Sequence, residues 1–295
     1  MSVLLLFFDG VGIAPPNPDI NPITSFQNHP FPVQGSDYDY FDGKLMTTDP
    51  RLGVNGLPQS ATGQTTILTG RNGAKIQGRH VNAFPTTKLR QVITESSVLK
   101  RIKFAGKRPI FANAYHPGYF ARRHSRFSVS TWSWLAAGIE YHSLDDLQAG
   151  NAVSHDLTNQ FMNRFGFGVT LRRPAQTGRI LAQLLERYDF VLFEYILTDV
   201  FGHRQDFEAL QFRFSQIAEM TDALLESTDL RRHTILLTSD HGNSEDISTN
   251  THTLNSVPTI LWGSRIVQEQ IAISSLLDIT PAILKLLGIP DADEN

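Results

Sequence analysis

Cysteine is absent from the 295 residues. That absence excludes disulfides, thiolate metal sites, thiol nucleophiles and thiol-based redox switching. It says little about compartment. An excess of one charge is also missing: 26 Lys and Arg face 29 Asp and Glu, a formal net charge of −3. No basic field marks a nucleic-acid or anionic-membrane partner. Long apolar runs are lacking too. In the opening "MSVLLLFFDG", Asp9 interrupts the run that starts at Val3. A secretory core needs about 7–15 apolar residues behind a basic start, and a membrane span about 20. We expect a buried first strand there, a cytoplasmic protein, and neither nucleic acid nor membrane among its partners. Internal repeats and low-complexity tracts are absent as well.

What remains is an ordinary globular composition, 41% hydrophobic and 19% charged, able to bury a sizeable core. Four short apolar runs are continuous rather than alternating: Val3–Phe8, Ile110–Tyr115, Phe190–Ile196 and Thr234–Thr238. Continuity of that kind marks parallel strands buried on both faces. Pro258–Trp262 is expected as a fifth. Helical periodicity fills the intervals, in Ser96–Gly106, "QTGRILAQLLERY", "DFEALQFRFSQIAEMTDALLES" and "SSLLDITPAILKLLGI". Alternating strands and helices predict an α/β fold, a mostly parallel central sheet with helices on both faces. Residues 116–175 break the rhythm with aromatics, glycines and the clusters "ARRHSR" and "LRR". That stretch exceeds a usual connection. We expect a core of residues 1–115 and 176–295 carrying a small inserted cap at 116–175. The tail "PDADEN" is expected to fray.

The stretch "TSDHGNSED" follows the Thr234–Thr238 run. Asp-His-Gly-Asn is good turn chemistry, and a strand must end somewhere. Carboxylate beside imidazole is also a ligand set for zinc-like ions. The rest of the chain favours the second reading. In open α/β sheets ligands bind beyond the carboxyl ends of strands. Asp9 follows the first run; Asp199 and His203 follow the third; Asp240 and His241 follow the fourth; His252 precedes the fifth. Asp199 and His203 share a face if their stretch is helical. Six such residues exceed the needs of one tetrahedral ion and suit two divalent ions, a phosphoryl-transfer device.

A nucleophile is expected in "GLPQSATGQTTILTGRN", where Ser60 occupies an N-cap position before a helix. A helix start offers free N–H groups and partial positive charge to a phosphate. Contact with a divalent ion would activate the hydroxyl. Gly63 would leave room for the phosphoryl group.

At this point the chain resembles the alkaline phosphatase superfamily, and within it the branch of cofactor-independent phosphoglycerate mutase and phosphopentomutase. The resemblance rests on "FFDGVG", "LPQSATGQTTILTGR", "DVFGH", "SDHGNSE", "HTLNSVP" and "LLDITPAILKLLGI", in family order. It implies an alkaline phosphatase-like core, with Ser60 as nucleophile and Asp9, Ser60, Asp240 and His241 around one metal. Asp199, His203 and His252 then surround the other, the ions being manganese or zinc. Asn82 lies one residue away from where phosphodiesterase relatives place a phosphate-contacting asparagine. The mutase's inserted second domain has no counterpart, since only about Val81–Thr94 occupies its place. The proline and arginine that follow the modified residue of sulfatases are missing too. The resemblance therefore implies a phosphohydrolase acting on a small phosphorylated substrate through a phosphoserine, with a mutase as the alternative. A non-catalytic protein on the same fold would be expected to lack a ligand or the nucleophile, and none is lacking. Arg122, Arg123 and Arg126 are candidate substrate contacts, arginine matching phosphate geometry; a solvated basic face is the plain alternative.

Overall fold

The computed structural model describes residues 1–121 and 123–290. Six strands form one sheet: β1 (Ser2–Phe8), β2 (Lys44–Thr48), β3 (Pro109–Phe111), β4 (Phe190–Tyr195), β5 (His233–Ser239) and β6 (Val257–Trp262). Their order is β2-β6-β5-β1-β4-β3. The four strands β5, β1, β4 and β3 run parallel. They are buried on both faces, and β1 shows how. Leu4, Leu6 and Phe8 pack with Leu181, Leu185, Phe214 and Met220, from helices Pro174–Arg187 and Phe207–Glu226. Val3, Leu5 and Phe7 face the other way, against Ile67, Leu99 and Ile283 of Ser60–Thr69, Val98–Phe104 and Ile279–Leu286. The period-two alternation of a strand thus divides an unbroken apolar run between two helical layers.

Two expectations need correction, and one strand was not expected. The fifth run is a strand, but β6 lies antiparallel to β5. A strand with no expectation attached, β2, pairs antiparallel with β6 at the sheet edge. The second run ends as β3 at Phe111, short of Tyr115. The Asn113 side chain bonds both the backbone carbonyl and the N–H of Glu194 on β4, at 2.7 and 2.9 Å, taking the place of ladder bonds. Beyond it, Asn113 and Ala114 bridge to Val153 and His142.

Within 116–175 the described residues form the short helices Val129–Ala137, Leu144–Ala149 and Gln160–Arg164. Val129, Trp134 and Ala137 join the core cluster under Ser60–Thr69. Leu147, Ala152, Met162 and Val169 form a separate cluster with Ala114. Residues 291–295, most of the expected frayed tail, lie outside the described residues. Among the described residues no helix is long and apolar enough to cross a membrane.

Candidate active site

Strand direction gathers the site. The carboxyl ends of β1, β4 and β5 share one edge of the sheet, and antiparallel β6 begins at that edge. Asp9 therefore leaves β1, Asp240 and His241 leave β5, and His252 enters β6, all at one place. Asp199 comes from the helix Leu197–Gly202 that follows β4, and His203 caps its end. Gly10 turns beneath them with φ +71, and a Cβ there would meet Asp199 Oδ1 at 2.7 Å.

Two groups of donors result. Asp9, Asp240 and His241 bring ligand atoms within 4.8 Å of one another. His241 Nε2 stands 3.3 Å from Asp9 Oδ1 and 3.4 Å from Asp240 Oδ2. In the other group, His203 Nε2 is 3.4 Å from Asp199 Oδ2 and 3.1 Å from His252 Nε2. His252 Nε2 is 3.5 Å from Asp199 Oδ1. The His241 and His252 rings stack with centroids 3.7 Å apart, which joins the groups.

Several features fit divalent ions. His203 Nδ1 lies 2.8 Å from the Asn250 carbonyl, and His252 Nδ1 lies 2.8 Å from the Pro58 carbonyl. Each Nδ1 must carry a proton to donate there, so as neutral rings the two would direct both Nε2 lone pairs at each other. Only a proton or a cation between them relieves that contact. Asp9 Oδ1 is buried without a hydrogen-bond partner. Burial, then the carboxylates of Asp240 and Asp199, push Asp9 well above the usual carboxylate range. Burial would lower His241, but Asp240 and Asp9 outweigh it and hold the ring up to about 10. Burial and the neighbouring His241 push His252 down to about 4. Three crowded carboxylates with imidazole donors between them are a cavity built for positive charge.

Ser60 Oγ lies 3.0 Å from His241 Nε2. Its helix starts differently from expectation. Gln59 is the N-cap residue, without a side-chain capping bond, and Ser60 is the first helical residue. Its hydroxyl is therefore free to face the site. The first backbone bond of the helix runs from Gly63 N–H to the Gln59 carbonyl, at 2.9 Å. The N–H groups ahead of it belong to the unsatisfied first turn. Gly63 has a different role from the one expected. A Cβ there would stand 3.0 Å from both Cβ and the carbonyl of Asp240, so the glycine lets the helix press against the β5 loop.

A cleft of about 560 Å³ opens beside Gln59, lined by Asn55, Leu57, Arg79, His80 and Asn82 among others. Asn82 is thus placed near the head of the Ser60 helix. Arg123 and Arg126 are exposed, and among the described residues no hydrogen bond or ion pair ties them to the donor groups. Arg122 lies outside the described residues. Sequence reasoning passed over Gln64, whose amide donates to Asp9 Oδ2 and Asp240 Oδ2, each at 3.2 Å. Its signal was its spacing, one turn past Ser60. It also passed over Asn243, which donates to Asp199 Oδ1 at 2.6 Å.

Comparison with known proteins gives likenesses in family, sequence and fold. Residues 168–291 match the family described as the Metalloenzyme superfamily, a span containing Asp199, His203, Asp240, His241 and His252. A 2,3-bisphosphoglycerate-independent phosphoglycerate mutase of Desulforudis audaxviator is 31% identical over 116 residues, 37% of this chain and 23% of that protein. A second such mutase, from Moorella thermoacetica, is 28% identical over 42% of this chain and 26% of its own length. The chain spans about a quarter of the length of the curated relatives it matches. In fold, an alkaline phosphatase from the Antarctic bacterium TAB5 superposes with a TM-score of 0.54 at 14% identity, over 98% of this chain and 99% of the phosphatase. Over residues 168–291 the chain is thus similar to the Metalloenzyme superfamily, over a shorter span to 2,3-bisphosphoglycerate-independent phosphoglycerate mutases, and in fold to an alkaline phosphatase.

Proposed function

We propose that this chain is a two-metal phosphohydrolase that cleaves a small phosphate ester through a phosphoserine on Ser60. Asp9, Ser60, Asp240 and His241 would hold one ion, and Asp199, His203 and His252 the other. Two divalent ions, manganese or zinc, would supply Lewis-acid stabilisation of the attacking and leaving oxygens. The observation that carries the reading is the place of Ser60 Oγ, 3.0 Å from His241 Nε2 at the open start of a helix. From there the hydroxyl oxygen can bond to phosphorus, giving up its proton, as the ester P–O bond breaks opposite it. The leaving oxygen departs as an alcohol after gaining a proton. The free N–H groups of the first turn would donate hydrogen bonds to the phosphoryl oxygens. Water then breaks the Oγ–P bond and releases inorganic phosphate. Asn82 and the cleft beside Gln59 are proposed to receive the rest of the substrate.

The names of the curated relatives favour a second reading, a phosphomutase that returns the phosphoryl group to a substrate hydroxyl. Hydrolysis is preferred because only the helices Gly73–Gln77, Thr87–Ser96 and Val98–Phe104 separate the Ser60 helix from β3. Such an interval holds no second domain to close over the site and exclude water. The deciding experiment is turnover of phosphomonoesters and phosphodiesters in isotopically labelled water, with each metal. Free phosphate carrying solvent oxygen is expected. A phosphoryl group moved between substrate hydroxyls without solvent oxygen would establish the mutase.

A further inference from the structure

Glu245 is the last residue of the "SDHGNSE" stretch and takes no part in either donor group. Its side chain is fully buried. Four donors converge on its carboxylate. Oε2 accepts from Gly12 N–H at 2.8 Å and Asn243 N–H at 2.7 Å. Oε1 accepts from the Thr253 hydroxyl at 2.5 Å and the Asn255 amide at 3.0 Å. Those donors come from three segments. Gly12 lies just past Asp9, Asn243 just past His241, and Thr253 directly after His252. A buried carboxylate is costly unless hydrogen bonds satisfy it, and bonds to an ionised acceptor are the strong ones. Here protein donors fill the positions around both oxygens. Room for the group is also made for it: a Cβ on Gly12 or Gly242 would collide with Glu245.

We propose that Glu245 is a positioning residue, whose carboxylate locks the three ligand-bearing loops at the spacing both donor groups require. The inference rests on the two-metal reading above. It demands a carboxylate specifically. Glutamine has nearly the same shape, but its NH2 would face two donors and oppose them. A residue that merely held the fold together would lower stability and leave the metal affinity of the folded protein unchanged. Partners that orient metal ligands through hydrogen bonds typically change affinity about ten- to hundredfold when removed.

The test is titration of metal-free protein with Mn2+, well below the melting temperature of each variant. Wild type, Glu245→Gln and Thr253→Val are compared. Thr253→Val deletes one donor beside His252 at nearly constant volume, so it decides the matter alone if Glu245→Gln does not fold. Weakening of about ten- to hundredfold is expected in Glu245→Gln, with a smaller loss in Thr253→Val. Excess Mn2+ should restore occupancy in both. Wild-type affinity in every folded variant overturns the inference and leaves the functional reading standing. A wild type that binds no divalent ion overturns both.

Discussion

Ser60 and Thr65 stand on one helix with their hydroxyls in opposite situations. Thr65 Oγ1 donates to the Ala61 carbonyl at 2.6 Å, and Thr62 Oγ1 donates to the Gln59 carbonyl at 3.0 Å. Both hydroxyls are committed to their own backbone. Among the described residues Ser60 Oγ has His241 Nε2 as its hydrogen-bond partner, which turns it to the donor groups. Ser60→Ala should therefore lower phosphoryl transfer by several orders of magnitude, as loss of a nucleophile does in serine hydrolases. The fold should lose only about 0.5–1.5 kcal/mol, the net worth of one hydrogen bond. Thr62→Ala and Thr65→Ala should remain active. A dead Thr65→Ala beside an active Ser60→Ala, measured with the substrate that wild type turns over, would refute the assignment. The six acids and imidazoles were legible in the sequence because residue type and position after a strand are local properties. Gln64, beyond its spacing from Ser60, and Glu245 were not. What sets them apart is the set of carboxylates or donors around them, brought in from distant segments.

At the scale of elements, the apolar runs were legible and their directions were not. A buried run says that a strand is covered on both faces, but pairing decides which way it runs. A fifth strand parallel to the others would have carried His252 to the far edge of the sheet. Antiparallel β6 is what brings it beside Asp199. The edge strand β2 escaped notice because "KLMTT" is short and only partly buried. The long loop between Asp9 and β2 is tied to the helix Phe207–Glu226 by His29. His29 Nε2 lies 3.0 Å from the Phe214 carbonyl, and its Nδ1 accepts from Phe31 N–H at 3.1 Å. The ring is thus held neutral, and burial pushes it down to about 4 from 6.5. Above pH 6.5 the ring is neutral in both folded and unfolded chains. As pH falls from 6.5 towards 4, only the unfolded chain takes up the proton, so stability drops by up to about 3 kcal/mol. Below 4 this contribution falls no further. Urea unfolding of wild type and His29→Gln at pH 7.5 and pH 4.5 should show the larger acid loss in wild type. Equal losses would mean that His29 is not buried as a neutral ring.

For the molecule as a whole, the donor groups are a local instability that the fold tolerates in expectation of cations. Asp9, Asp199 and Asp240 each act on a neighbour's ionisation, and Asp9 and Asp240 are buried. They are fixed by the four parallel strands and by the Ser60 helix pressed on Asp240 through Gly63. Because the scaffold places them together whatever lies between them, withdrawing the ions must leave repulsion behind. Ions that bind the folded chain and ignore the unfolded one also stabilise by mass action, by about 2.7 kcal/mol per site at a hundredfold excess over Kd. Two sites together are worth on the order of 5 kcal/mol, which for a chain of this size shifts the melting temperature by roughly 10 °C. Protein shown by elemental analysis to hold metal should therefore melt markedly lower after a strong chelator, and recover when Mn2+ or Zn2+ is returned. The loss should shrink in His252→Ala, which can give up less binding energy because one group is already incomplete. Coincident melting curves with and without chelator would place the ions outside the folded core, and the crowding of Asp9, Asp199 and Asp240 would then need another explanation.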